Sequence, residues 1–249
     1  MAVDSHLLSQ VAKSGSVMFR TYAMWPPAVT IGRHQRWMRV VDESVCQRAG
    51  WDWCRRPSGG GALLHKDEIN YAVIAPRGAI AEVGEGEFRA VFDAIGRALT
   101  SALCQMGFNP ELHIGDRGAV SSQHGLCGRS ITGNEIALNG LKIVAAAQMI
   151  TPAGILQHGT IYIKSPEESD LFWPAADPGA DSKLNRQRWA DLGPRFREWS
   201  WEAISIALEG EFRRHLSVAC QSAELTTDDW TAIDSIVADR IASGWDKIR

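Results

Sequence analysis

Four short runs of this chain carry residue types that could do chemistry. The first is Arg55-Arg56-Pro57-Ser58-Gly59-Gly60-Gly61-Ala62. Three consecutive glycines put no Cβ in the way of a ligand and let successive backbone N–H groups converge on an anion. Arg55 and Arg56 beside them could add charge for a carboxylate or phosphate. A bulge or a plain turn would use the same glycines. The nucleotide-loop patterns are absent, because Gly59-Gly60-Gly61 lacks the GxGxxG spacing and no Gly-Lys-Ser/Thr follows it.

The second run is Leu141-Lys142-Ile143-Val144-Ala145-Ala146-Ala147-Gln148, in which Lys142 is the one charge. A lysine at the edge of such a strand is either solvated or aimed at a site. The alanines after it leave room for a ligand chain along the sheet, where each buried methylene is worth ~0.8 kcal/mol. In the third run, Gln123-His124-Gly125-Leu126-Cys127-Gly128-Arg129, Cys127 is an inert thiol, or a nucleophile if a cation such as Lys142 stabilises its thiolate. The fourth, Gln157-His158-Gly159-Thr160, sets polar residues in an apolar strand. His158 is a base or a hydrogen-bonded residue that shapes the site.

The elements that must position these residues follow from periodicity and turn chemistry. Val3, Leu7, Leu8 and Val11 fall at helical spacing ahead of Gly15, which predicts an opening helix. Residues 17–23 and 28–32 read as strands, 42–50 as a short helix, and 51–55, 62–65 and 69–75 as three strands around the glycine loop. A long helix spans 87–106, since Phe88, Val91, Phe92, Ile95, Leu99 and Leu103 trace one face and Gly107 follows. Asn139-Gly140 between 135–138 and 141–150 is a hairpin signal, and a turn at 151–154 leads into 155–163, giving an antiparallel meander. Helices are expected at 194–216 and 227–241. The sum is an α+β fold, a largely antiparallel sheet flanked by helices, with 1–249 as one catalytic-type domain whose part from about 181 is helical.

Bulk properties bound the rest. A 249-residue chain with 45% hydrophobic residues can bury a sizeable core. Its net charge of -3 gives no broad attraction to nucleic acid or acidic membranes. The amino terminus lacks a basic region before an apolar core, and no apolar run approaches the ~20 residues that span a bilayer. The expectation is a cytoplasmic protein without nucleic-acid or membrane partners. The 5 cysteines are scattered without a CxxC pair, so neither a metal site nor a disulfide framework is expected. The 10 tryptophans are dispersed, which favours structural roles.

In order along the chain, these segments resemble the lipoate-protein ligase and octanoyltransferase family, which shares a fold with biotin-protein ligases. The resemblance is carried by Arg55 through His65, by Gly140 through Gln148 and by Leu156-Gln157-His158-Gly159-Thr160, with support from Met1-Ala2-Val3-Asp4 and from Pro27 through Gln35. It implies that the glycine loop and Lys142 hold an acyl carbonyl or adenylate. It also implies a C8 chain in an alanine-lined slot, with substrate contacts from Arg55, Arg56, Ser58, Gly59, Gly60, Gly61, Ala62, His65, Ala145, Ala146, Gln148, His158, Gly159 and Thr160.

The family holds two chemistries. One is a cysteine-dependent octanoyltransferase that takes its chain from acyl carrier protein and needs no cofactor. The other is a ligase that uses ATP and magnesium to form an acyl-adenylate. Cys127 stands fifteen residues before Lys142, a spacing similar to one transferase branch, and His65-Lys66-Asp67-Glu68-Ile69-Asn70-Tyr71 and the chain length also favour the transferase. Ser58-Gly59-Gly60-Gly61 is ligase-like. Val144-Ala145-Ala146-Ala147 differs from the Gly-Ser-Ala pattern common to both, which leaves a non-catalytic acyl-binding subunit as a third reading. The implied acceptors are lipoyl domains of 2-oxoacid dehydrogenase E2 proteins, glycine-cleavage H-type proteins or related carriers.

Overall fold

A computed structural model of the chain describes residues 1–84, 86–113, 135–164, 192–196, 198–219 and 221–247. It opens with α1 (Ala2–Ser14), which stops where Gly15 turns left-handed (φ 67°) and returns its N–H to the Val11 carbonyl. Then come β1 (Met18–Tyr22), β2 (Ala28–Ile31), the single turn α2 (Trp37–Val40), α3 (Glu43–Ala49), β3 (Asp52–Arg55), β4 (Leu63–His65) and β5 (Glu68–Ala75). After these lie α4 (Glu87–Gln105), β6 (Glu111–His113), β7 (Glu135–Leu138), β8 (Leu141–Thr151) and β9 (Gly154–Tyr162). The chain finishes with α5 (Gly193–Phe196), α6 (Trp201–Leu216), α7 (Thr227–Ser243) and a 3-10 turn at Trp245–Lys247.

Two sheets result. The larger has six strands in the order β1-β5-β9-β8-β7-β6, every neighbouring pair antiparallel. The smaller has the order β3-β2-β4, parallel between β2 and β3 and antiparallel between β2 and β4. The strands expected around the glycine loop are present, but β3 and β4 belong to the small sheet and β5 to the large one. The loop is therefore carried on one layer and faces another.

The main core lies between the large sheet and helices α4 and α6. Val91, Phe92, Ile95, Leu99 and Leu103 are buried on α4, and Ile204, Leu208 and Phe212 on α6. Each such side chain contributes about 1.5–3 kcal/mol by leaving water. A second cluster, with Val29, Ile31, Trp37, Trp51 and Ala62, packs the outer face of the small sheet.

One expectation is revised, and three short elements carried no periodic signal. The helix expected over 194–216 is divided: α5 ends at Phe196, and the Ser200 side chain accepts from the Ala203 N–H to start α6 afresh. Strand β6 and helix α2, of three and four residues, are too short to show a period. The final 3-10 turn also lacks a periodic signal. No described helix is long and apolar enough to cross a membrane.

Candidate active site

The glycine loop joins β3 to β4 and lies over the end of β2. The Arg56 N–H donates to the Ile31 carbonyl at 2.8 Å, and the Arg33 N–H donates to the Ser58 carbonyl at 2.9 Å. Gly32 makes this approach possible, since a Cβ there would stand 1.9 Å from the Gly60 carbonyl oxygen. Gly60 has φ 92°, a conformation that favours glycine.

The two arginines beside the loop donate to backbone carbonyls of the loop and its neighbours. Arg55 is 1% exposed. Its Nη1 donates to the carbonyls of Gly32, Arg33 and Gln35 at 3.1, 3.0 and 2.7 Å, and its Nε to the Trp245 carbonyl at 3.0 Å. The Asp246 carboxylate accepts the Arg55 N–H at 2.7 Å. Arg55 thus ties the loop's entry to β2 and the C-terminal turn, which corrects its expected role as a substrate contact. Arg56 shapes the loop: its Nη2 donates to the carbonyls of Gly59 (3.2 Å) and Gly61 (2.6 Å), and its Nη1 to the carbonyl and hydroxyl of Thr30. Ala62 packs in the outer cluster of the small sheet rather than at the ligand face.

Across from the loop stand β8 and β9. In a regular strand Lys142 would share a face with Val144 and point into the helix-covered core. The ladder between β7 and β8 instead pairs Ile136 with Val144 but Ala137 with Lys142, so Ile143 is an extra residue on β8. Ile136, Ile143 and Val144 all face the core. Neighbouring residues of β7 point to opposite faces, so Ala137 and its partner Lys142 face the small sheet. Beyond the bulge, Ala145 packs with Leu63 and Tyr162, and Ala147 lines the recess between the sheets. Lys142, Ala145 and Ala147 therefore share one face. Lys142 is buried, not solvated, and its Nζ donates to Glu135 Oε1 at 2.5 Å.

The same alternation revises two expected contacts. Ala146 and Gln148 lie on the opposite face, and Gln148 Nε2 donates to the Phe88 carbonyl at the start of α4. Ala147, one residue away from each, takes their expected place. Gly159 is needed on that rear face, where a Cβ would meet Tyr71 Cε1 at 2.7 Å and the Ala145 carbonyl at 2.6 Å.

A small recess between the sheets is lined by Arg56, Leu63, His65, Ala147, His158 and Thr160, with Met1, Tyr22, Asn70 and Gly159. Two polar networks fix its walls. His65 contacts Thr30 Oγ1 through Nε2 at 2.7 Å and Asn70 Oδ1 through Nδ1 at 3.1 Å, and Thr160 Oγ1 donates to Asn70 Oδ1 at 2.7 Å. In the other network, Arg20 Nη1 donates to Asp4 Oδ1 at 2.9 Å, His158 Nδ1 meets Asp4 Oδ2 at 3.2 Å, and His158 Nε2 meets Ser58 Oγ at 2.6 Å. Burial works to raise the Asp4 carboxyl, but the hydrogen bond from His158 and the charge of the Met1 amino group, with smaller help from the charges of His158 and Arg20, outweigh it and hold the group at about 2. With Asp4 ionised, Nδ1 of His158 is the donor and Nε2 accepts from Ser58. Burial pushes His158 below its usual range, with Asp4 opposing.

Sequence reasoning thus found Arg56, Ser58, Gly60, His65, Lys142, Ala145, His158 and Thr160 in or around one cleft. It missed Asp4, Thr30, Gly32, Asn70 and Ala147. Asp4 follows Val3 on the predicted apolar face of α1, and a carboxylate beside that stripe was a usable signal. Cys127 lies outside the described residues.

The glycine loop and the face of β8 that carries the buried Lys142 thus stand on opposite sides of the cleft between the two sheets. The lipoyl protein ligase A/B catalytic domain model matches residues 1–175, and the chain belongs to that family. It is 26% identical to the octanoyltransferase LipM of an Exiguobacterium species over 255 residues, covering 98% of this chain and 92% of that one. Its fold matches the bi-partite lipoate protein ligase of Thermoplasma acidophilum, described together with its E2 lipoyl domain, with TM-score 0.74, 17% identity and 99% and 92% of the two chains covered. It also matches a lipoate-protein ligase A bound with ATP, with TM-score 0.73, 19% identity and 97% and 89% covered.

Proposed function

We propose that this enzyme transfers an octanoyl or lipoyl-type C8 acyl group to a lysine of a lipoyl-carrier domain, through a thioester on Cys127. The observation that carries this reading is the placement of Lys142 on the same face as Ala145 and Ala147, opposite the glycine loop. Ala147, with its single methyl group, keeps the surface of β8 low where it lines the recess. Lys142 supplies the one formal positive charge of its strand, suited to the thiolate and to the oxyanion that develops at the acyl carbonyl. Glu135 orients the ammonium. Likeness to an octanoyltransferase LipM over almost the whole chain supports octanoyl transfer, for which acyl carrier protein is the donor tested below.

The ligase chemistry, with ATP and magnesium, draws support from the ATP-bound neighbour. In this structure the guanidinium groups of Arg55 and Arg56 donate to backbone carbonyls of the loop and its neighbours. Incubating the protein with apo lipoyl domain and either octanoyl-acyl carrier protein, or lipoate with ATP, and weighing the acceptor intact separates the readings. Acyl transfer without ATP that is lost in Cys127→Ala supports the thioester route. Transfer only with ATP, unaffected by Cys127→Ala, overturns it in favour of the ligase. No modification under either condition leaves an acyl-binding subunit.

A further inference from the structure

Asp4, His158 and Ser58 come from α1, β9 and the glycine loop, yet they form one connected line whose members are 0%, 3% and 1% exposed. Both ring nitrogens of His158 are engaged, one by a carboxylate and the other by a hydroxyl. A serine hydroxyl bonded to an imidazole that is itself oriented by a buried carboxylate is an arrangement able to accept a proton and hold it. His158 also lines the recess. Nε2 is the ring nitrogen bonded to Ser58, so a proton passed through Ser58 can reach it while Nδ1 stays bonded to Asp4.

We infer that Ser58, His158 and Asp4 are a proton relay for the step in which the acceptor lysine attacks the acyl thioester. The inference rests on the acyl-transfer reading above. The amine nitrogen donates its lone pair to the acyl carbon and loses a proton to Ser58 Oγ, while Ser58 passes its own proton to His158 Nε2. The C–S bond breaks with its electron pair on sulfur, and the proton returns from His158 through Ser58 to the departing thiolate. An amide and a thiol are the products. Ser58 and His158 transfer the proton, and Asp4 is a positioning residue that fixes the tautomer and stabilises the imidazolium.

The groups facing His158 are Asp4 and the Met1 amino group on α1 and Arg56 on the glycine loop, while Tyr22 on β1 and His65 on β4 line the same recess. Burial and Arg56 favour the neutral ring, which is the form able to accept, and Asp4 keeps it basic enough to do so.

The test is single-turnover transfer from the acyl-loaded full chain to apo lipoyl domain between about pH 5 and 9, with loading followed separately by intact mass and the His158 ring nitrogens followed by 15N NMR. Asp4→Asn is isosteric and removes the charge that raises His158. Its acidic limb moves down by about one pH unit and its plateau falls about tenfold or more. Ser58→Ala lowers transfer about a hundredfold. An Asp4→Asn limb and plateau equal to wild type, or full-rate transfer by Ser58→Ala, overturns the relay and leaves a structural bridge between α1, β9 and the loop. If Asp4→Asn does not fold, the wild-type NMR decides: a proton resident on Nε2 in the neutral ring overturns the relay, and one on Nδ1 supports it. Wild-type protein that neither loads nor transfers overturns the acyl-transfer reading itself, a result distinct from normal loading with an unaltered variant.

Discussion

Replacing Gly32 by alanine should damage the site more than replacing a glycine of the triplet itself. The added Cβ would lie 1.9 Å from the Gly60 carbonyl oxygen, 2.9 Å from its carbonyl carbon and 3.2 Å from the Gly59 carbonyl carbon. These are backbone atoms and cannot rotate away, so the loop must retreat by roughly 1 Å to restore van der Waals separation. Arg56 would then lose one or both of its bonds to the Gly59 and Gly61 carbonyls, and the loop would move relative to Ala147. Overpacking of this kind costs about 1–3 kcal/mol of stability. A displacement of about 1 Å in a positioning element lowers kcat/KM about a hundredfold. Gly59→Ala is the control, because a Cβ there meets nothing within 4 Å and its φ is not positive. Thermal unfolding and acyl transfer measured on both variants check the expectation. Equal losses in the two, or a Gly32→Ala enzyme with wild-type kcat/KM, would refute the steric argument.

Lys142→Met should abolish transfer, and Glu135→Ala removes the carboxylate that accepts from the buried ammonium and should lower stability by about 1–3 kcal/mol, read by denaturant unfolding. Asp246→Ala removes the acceptor of the Arg55 N–H and should cost about 1–3 kcal/mol, with a larger rise in KM than fall in kcat if the turn serves mainly to seat the loop. The Asp4 carboxyl is depressed in the folded state to about 2 from 3.8, so its stabilising contribution is complete above pH ~4 and is lost as pH falls through about 2. That contribution is about 2 kcal/mol. In Asp4→Asn the acid-unfolding curve should lose this part of its slope.

Much of the fold was legible because periodicity survives in one dimension. The apolar stripe of α4, the Asn139-Gly140 hairpin and the apolar runs of β8 and β9 on either side of a turn are local consequences of side-chain type and turn chemistry. So were the chemical candidates: only a few residues in this composition combine small size, charge and nucleophilicity at close spacing, and Arg56, Ser58, Gly60, Lys142 and His158 were among them. Tertiary structure decided which way they point. The extra residue at Ile143 turns Lys142 toward the cleft and puts Ala147 rather than Ala146 or Gln148 at the ligand face, and a bulge has no signature in a run of small and apolar residues. Arg55 and Arg56 are neighbours of identical chemistry, yet one ties the loop to Gly32 and Trp245 and the other bonds to Gly59 and Gly61, because Arg55 is the last residue of β3 and Arg56 the first of the loop. Asp4 and His158 are 154 positions apart, and only the packing of α1 against the large sheet brings the carboxylate to the imidazole. The residue types present fix the available chemistry; the register between strands and the packing of layers fix which atoms share a site.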